Sequence, residues 1–185
     1  MWVSVGQYIE SLIRNGGYSQ SEVAREIGVP RQSLSYVIAG HRDLSMPLAL
    51  KLESFFNLHE GELLKKQTAE NVRNYKQKIK NELVKRLLEV NAFWSYAAAS
   101  TEDIPDEELI EKVFIHLDMS DIARLFEIYQ RNYIHKVWKE KMVIQGDYLF
   151  NLNVMIALYY FNIKQPEEYL KQVERNHIKK LSDHA

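Results

Sequence analysis

Two short helices that meet at a sharp corner are predicted for residues 18–42. The run Ser19–Glu22 has the pattern of a capping box, in which a serine hydroxyl and a glutamate carboxylate each bind an otherwise unpaired backbone N–H. Gly28 supplies a residue that can end the first helix in a left-handed conformation, and Pro30 opens the second. Gly40 ends the second helix. So short a connection permits only a sharp corner, which excludes most arrangements of two helices and predicts a helix-turn-helix motif.

The second of these helices has one apolar side and one polar side. At about 100° per residue, Leu34, Val37 and Ile38 fall on the side that must face a core. The outward side presents Gln32 and Tyr36, with Ser33 and Ser35 on its flanks and Arg31 at its amino-terminal edge. It carries no carboxylate. Arginine and glutamine hydrogen-bond guanine and adenine edges, so the pattern predicts a helix that enters the major groove of DNA.

Charge is distributed unevenly along the chain, although the net charge is only −1. Residues 1–64 hold five basic and seven acidic side chains, whereas residues 65–86 hold eight basic and two acidic ones. Residues 87–185 hold eleven basic and sixteen acidic side chains. The middle of the chain is therefore basic and the carboxy-terminal half acidic, which suits a protein that binds DNA through one end and another molecule through the other.

Residues 69–92 are predicted to form a long basic connecting helix. Apolar residues recur at three- to four-residue steps, and neither glycine nor proline interrupts them. Its basic face could contact phosphates, or its apolar seam could pair two chains. A third alternative, which we favour, is that the helix packs against its own second domain and leaves its basic face in solvent.

Residues 93–185 are predicted to form a helical bundle for partner binding or dimerisation. The segment 149–161 is apolar nearly all round, which predicts a central buried helix. Asp118 and Asn132 are predicted helix caps. Asp121 is assigned to the helix start that follows Asp118, and the two aspartates are not interpreted as a metal pair. The aromatic side chains, including Trp94 and Tyr96, are predicted to be core. There is no cysteine, and no metal-ligand spacing, phosphate loop or nucleophile motif is present. We therefore expect no catalytic residues, no cofactor and no metal, and a protein that is not an enzyme.

The stretch YSQSEVAREIGVPRQSLSYVIAGHRDLSMPLALKLESFFNLHEGELLKKQ resembles the Cro/cI-type (XRE) helix-turn-helix family, and within it the HigA-like plasmid-maintenance antidote subgroup. The resemblance covers residues 5–67 and implies a five-helix, λ-repressor-like domain over residues 1–68 of an all-α protein. It also implies that Gln20 contacts a phosphate, that Arg31, Gln32 and Tyr36 lie toward bases, and that His41 and Arg42 contact the DNA backbone. The aromatic pair that the subgroup has before its final glutamine is replaced here by Glu62 and Leu63.

The carboxy-terminal half resembles a helical domain of antitoxin-type proteins encoded beside abortive-infection nucleotidyltransferase toxins. The resemblance lies in NAFWSY, IPDEELIEKVFIHLD and VWKEKMVIQGDYLFNLNVMIALYYFNIKQPEEYL. It implies a protein toxin as the partner of this half.

These observations lead to one main hypothesis and two alternatives. The main one is an antitoxin and autorepressor that binds a double-stranded operator as a homodimer. The first alternative is a phage- or metabolite-type transcription regulator whose carboxy-terminal domain senses a small ligand, and the second is an adaptor that has lost DNA binding.

No apolar run reaches the roughly 20 residues that cross a bilayer, and no signal peptide precedes the first helix. We therefore expect a cytoplasmic protein with no membrane partner.

Overall fold

A computed structural model describes residues 3–93 and 104–182, and every regular element in those two ranges is helical. The all-α prediction is therefore confirmed. The α-helices are α1 (Val5–Asn15), α2 (Gln20–Glu26), α3 (Arg31–Ile38), α4 (Met46–Phe55), α5 (Glu62–Glu89), α6 (Asp106–His116), α7 (Met119–Ile128), α8 (Arg131–Val137), α9 (Phe150–Tyr159) and α10 (Pro166–Ser182). Between α8 and α9 lie a π-helical turn, Trp138–Met142, and a 3₁₀ segment, Val143–Leu149. Within the described ranges, no helix combines the length and apolar character needed to span a bilayer.

The chain divides into two compact units, Met1–Tyr75 and Lys76–Ala185. The division falls inside α5, which is a single helix of 28 residues. The fifth helix of the predicted DNA-binding domain and the predicted connecting helix, which the sequence indicated as separate elements, are thus one helix. The boundaries proposed at residues 68 and 92 remain predictions.

Local sequence signals place the helices of the first unit. Ser4 and Ser19 are amino-terminal caps of α1 and α2, and both form complete capping boxes. Ser45 has the sequence pattern of a cap before α4, but its side chain makes no capping hydrogen bond. The first core is built from side chains that include Ile9, Val23, Leu34, Leu52 and Leu63, all fully buried.

Helices α1 and α3 approach each other very closely at Gly6. A Cβ atom built on Gly6 would lie 2.4 Å from the backbone oxygen of Ile38. No side chain larger than hydrogen fits at that distance, so glycine at this position lets α1 support the back of α3. The support matters because the opposite side of α3 carries the predicted DNA-reading residues.

The second unit is a helical bundle around the fully buried Trp138. The Trp138 indole Nε1 donates to Asn153 Oδ1 at 2.8 Å, and Asn153 Nδ2 donates to the Met142 backbone oxygen at 3.2 Å. Phe161 and Tyr169 stack on the indole ring. A buried asparagine therefore joins α9 to the π-helical turn in the middle of an aromatic core.

Three predictions for this unit need correction or restriction. Asn132 does not cap α8, because the helix begins at Arg131 and its amino-terminal cap is Gln130, whose backbone is extended. Helix α7 ends at Ile128, so only a short link separates the two helices. Helix α9 is not buried all round: its buried residues are Asn153, Ile156 and Ala157, which lie on one face. Tyr148 and Tyr159 are 85% and 70% exposed, so they are not core residues. Trp94 and Tyr96 lie outside the described residues.

Acid should destabilise the second unit through His135. Burial lowers the pKa of His135, and Lys139 and Arg131 lower it further. Because the unfolded chain then binds the proton first, stability is complete above the unfolded pKa of about 6.5 and is lost as the pH falls below that value. We expect the free energy of unfolding to decrease from pH 7 to pH 5, and the decrease to be smaller in His135→Phe. Chemical denaturation at each pH measures both.

The partly exposed His177, on α10 of the same unit, provides the control. His177→Phe retains His135 and should keep the wild-type pH dependence. A residual dependence is expected in His135→Phe, because burial also lowers the pKa of His116. Equal slopes for wild type and His135→Phe would show that His135 does not contribute.

Candidate nucleic-acid interface

The corner between α2 and α3 has the predicted geometry. Gly28 adopts a φ of +63°, and the backbone N–H of Val29 donates to the Ala24 oxygen at 2.9 Å. Pro30 lies immediately before the first residue of α3. Lys51 of α4 donates from Nζ to the Gly28 oxygen at 3.3 Å. The turn is therefore held both by its own backbone and by the helix behind it.

Helix α3 presents the side predicted from its periodicity. Leu34 and Val37 are buried, and Ile38 packs against the same core. On the other side Arg31 and Gln32 are exposed, Tyr36 is 44% exposed, and Ser33 and Ser35 are partly buried on the flanks. The structure thus gathers the five predicted α3 residues on the outward side and flanks of one helix.

Gln32, Tyr36 and His41 form a connected group on this surface. Gln32 Nε2 donates to the Tyr36 hydroxyl at 2.6 Å, and the His41 ring meets the Tyr36 ring edge-on with centroids 6.3 Å apart. The bond uses one amide N–H of Gln32 and leaves the second N–H and the carbonyl oxygen free. A bidentate contact with adenine needs one donor and one acceptor, so Gln32 keeps that capacity while bonded to Tyr36.

The predicted phosphate contacts lie at the edges of this surface. Gln20 is the first residue of α2 and is partly exposed, whereas His41 and Arg42 are exposed in the loop after α3. Arg42 also lines a cleft of about 180 Å³ together with Ser33 and Lys51. Lys51, the one basic residue of α4, is not among the residues predicted from the sequence to contact DNA. Its place in this cleft adds a cation beside Ser33.

A buried glutamine positions the loop that carries His41 and Arg42. Gln67 Oε1 accepts from the Leu44 backbone N–H at 3.0 Å, and Gln67 Nε2 donates to Asn71 Oδ1 at 2.8 Å. Asn71 in turn donates to Asp43 Oδ2 at 3.1 Å. The sequence identified Gln67 only as part of a resemblance. Its structural role is to attach the loop after α3 to α5.

The cations of α5 do not act as one uninterrupted basic face. In the first unit, Lys66 lies over the Tyr8 ring at 4.2 Å. In the second, Lys80 pairs with Asp106 at 2.8 Å, and Arg86 donates to Asp121 Oδ1 at 3.1 Å. These two ion pairs agree with packing of this part of the helix on its own domain. The lysines at positions 65, 76, 78 and 85 are exposed.

The two aspartates at the start of α7 have structural roles. The side chain of Asp118 accepts from the backbone N–H groups of Ser120 and Asp121, as expected for a cap. The Ser120 hydroxyl and these backbone bonds lower the pKa of Asp118, whereas burial raises the pKa of Asp121 against the effect of Arg86. Across residues 3–93 and 104–182, no cluster of three or more histidine and acidic side chains could hold a metal ion.

Comparison with known proteins agrees with this geometry. Residues 9–63 match the helix-turn-helix family model. The match supports a DNA-binding regulator of transcription and covers α2 and α3 completely. No curated protein and no solved structure shows a significant match to the chain.

Proposed function

We propose that this protein is a sequence-specific transcription regulator that inserts α3 into the major groove of an operator and represses the operon of its own toxin–antitoxin pair. The observation that carries the DNA-binding part is the outward side of α3, which is polar, lacks carboxylates and lies in a domain that matches the helix-turn-helix family. In this proposal Arg31 and Gln32 contact base edges, with Tyr36 beside them. Gln20, His41 and Arg42 contact phosphates.

The charge of the first unit bears on how operator affinity arises. Residues 1–64 hold more acidic than basic side chains, so non-specific attraction to phosphates is weak for this part of the chain. Helix-turn-helix proteins commonly overcome this as dimers that bind two half-sites about one helical turn apart. We therefore propose that the protein binds its operator as a homodimer.

The antitoxin role rests on the resemblances of both halves and on the acidic balance of residues 87–185. A second candidate is a regulator that responds to a small ligand. The observation that favours this candidate is a surface cleft of about 450 Å³ beside α10, lined by residues that include Lys164, Glu168 and Tyr169.

Selection from a library of random double-stranded DNA tests the DNA-binding proposal. We expect enrichment of a motif with two related half-sites whose centres lie about 10 base pairs apart, and binding that weakens steeply with salt. Failure to enrich any motif would contradict sequence-specific binding.

The antitoxin role is tested separately by expressing the genomically adjacent gene with and without this protein. Growth arrest that coexpression relieves supports the role, and normal growth in both cases rejects it.

A further inference from the structure

Helix α9 presents an uncharged and largely apolar side to solvent. Residues 148–163 contain no charged side chain, which is unusual for a surface segment of a chain that is 26% charged. The buried positions of α9 are Asn153, Ile156 and Ala157. Asn151, Met155, Leu158 and Tyr159 lie on the other side of the helix, and the exposed Tyr148 lies in the 3₁₀ segment that leads into it; we call these five residues the α9 face.

The α9 face is strongly exposed for residues of this kind. Tyr148 is 85% exposed, Tyr159 is 70% exposed and Leu158 is 46% exposed. Single exposed apolar residues are common, but a contiguous uncharged group with two aromatic side chains marks an interaction surface. Tyrosine is among the residues that contribute most to binding energy at protein interfaces.

We infer that the α9 face docks on the α9 face of a second copy of the chain, with the two helices nearly antiparallel across a two-fold axis. Tyr148 lies two residues before Phe150, the first residue of α9, and Tyr159 is the last residue of the helix. A two-fold axis through the middle of the helix places Tyr148 of one copy near Tyr159 of its partner, and the reverse. The face is therefore self-complementary, as an isologous interface requires.

The absence of charge favours a second copy over a partner chosen by electrostatics. In a two-fold interface a group close to the axis faces its own copy, and a charged group there would repel its counterpart. The α9 face has none, so its two copies meet without that cost. A partner recognised through complementary charge would find nothing on these residues to recognise.

The area of the α9 face is close to that of a weak specific dimer. At 85% and 70% exposure, two tyrosines offer about 300 Å² per copy, given that an aromatic side chain buries roughly 150–250 Å². With Asn151, Leu158 and the partly buried Met155, complete burial of the α9 face in both copies would remove at most about 1,000 Å², the lower limit for biological interfaces. Recognition of two half-sites needs two copies of the chain, which a dimer through this face would supply. The biological role of the dimer therefore rests on the proposed function.

A pair of matched leucine substitutions tests the surface in the full chain without DNA. Leu158 is 46% exposed on α9, and Leu88 is 45% exposed on α5. Sedimentation equilibrium should show a dimer for wild type and for Leu88→Lys. Leu158→Lys should weaken the dimer at least tenfold, because it places an unpaired charge in an apolar interface beside Tyr159. A wild-type chain that is monomeric throughout, or a Leu158→Lys dimer as tight as wild type, would overturn the inference.

A charge exchange tests the antiparallel arrangement. Tyr148→Lys and Tyr159→Glu should each weaken the dimer, whereas the double variant should associate more tightly than either, because opposite charges then face each other at both ends. A double variant weaker than both single variants would overturn this pairing. These variants also provide a control for folding, since loss of structure in a single variant would not be reversed by a second substitution.

The outcomes for the dimer and for the proposed function can be distinguished. A DNA-free dimer that depends on Leu158 but enriches no DNA motif keeps the inference and rejects sequence-specific regulation. A monomer that enriches a single half-site does the reverse. If the chain is monomeric and Leu158→Lys instead abolishes copurification of the adjacent gene's product, the α9 face binds a different protein and the inference is wrong.

Discussion

Replacing Arg31 and Gln32 together by alanine should lower the affinity for the selected operator by about 2–6 kcal/mol. Each residue can make one bidentate base contact, and each such contact contributes about 1–3 kcal/mol of discrimination against the wrong base. The corresponding change in the dissociation constant is about 30-fold to more than 10,000-fold, at about 1.4 kcal/mol per factor of ten. A gel-shift titration with the selected sequence and with a scrambled one measures it.

Arg14→Ala is the matched control for loss of charge. Arg14 lies on α1 in an exposed ion pair with Glu10, so its removal changes the net charge but no residue of α3. We expect operator affinity within a factor of a few of wild type for this variant. Unchanged operator affinity of the Arg31 and Gln32 double variant, with its circular dichroism and unfolding transition intact, would reject these two residues as base contacts.

Asn153→Leu should destabilise the second unit by about 2–6 kcal/mol. The variant removes the acceptor of the fully buried Trp138 indole N–H and the donor to the Met142 backbone oxygen. A buried polar group that loses its partner costs about 1–3 kcal/mol, and this change leaves two such groups unpaired. Chemical denaturation followed by tryptophan fluorescence measures the loss.

Asn176→Leu is the control because it makes the same chemical change at an exposed position of α10 in the same unit, outside the α9 face. We expect its unfolding free energy to stay within about 0.5 kcal/mol of wild type, as is usual for surface substitutions. If both variants were equally destabilised, the Trp138–Asn153–Met142 hydrogen bonds would not be the cause.

The parts of the structure that followed from the sequence are those set by neighbouring residues. The Ser19–Glu22 capping box and the left-handed Gly28 depend on contacts within a few positions, so the corner between α2 and α3 could be predicted. The outward side of α3 followed from the helical period alone. Which of its residues bind DNA is a separate question that the experiments above address.

The parts that could not be predicted depend on residues far apart in the chain. Arg86 and Asp121 are 35 positions apart, and Gln67 and Leu44 are 23 positions apart, so no local sequence pattern predicts either contact. The error for α9 has a different origin. An apolar composition shows that a helix tolerates burial on every side, but the number of elements that cover it depends on the tertiary arrangement.

The hydrogen bond from Gln32 to Tyr36 has a thermodynamic consequence for recognition. A free glutamine side chain loses up to about 1.5–2 kcal/mol of rotamer entropy when it is fixed in one conformation. Because Tyr36 already restrains the Gln32 amide, part of that ordering occurs before any DNA is present. Tyr36→Phe would therefore make operator binding entropically less favourable even if Tyr36 touches no base. Calorimetry of wild type and Tyr36→Phe measures this: restraint of Gln32 by Tyr36 predicts a less favourable entropy of operator binding in the variant. A direct contact between Tyr36 and a base predicts a less favourable enthalpy instead.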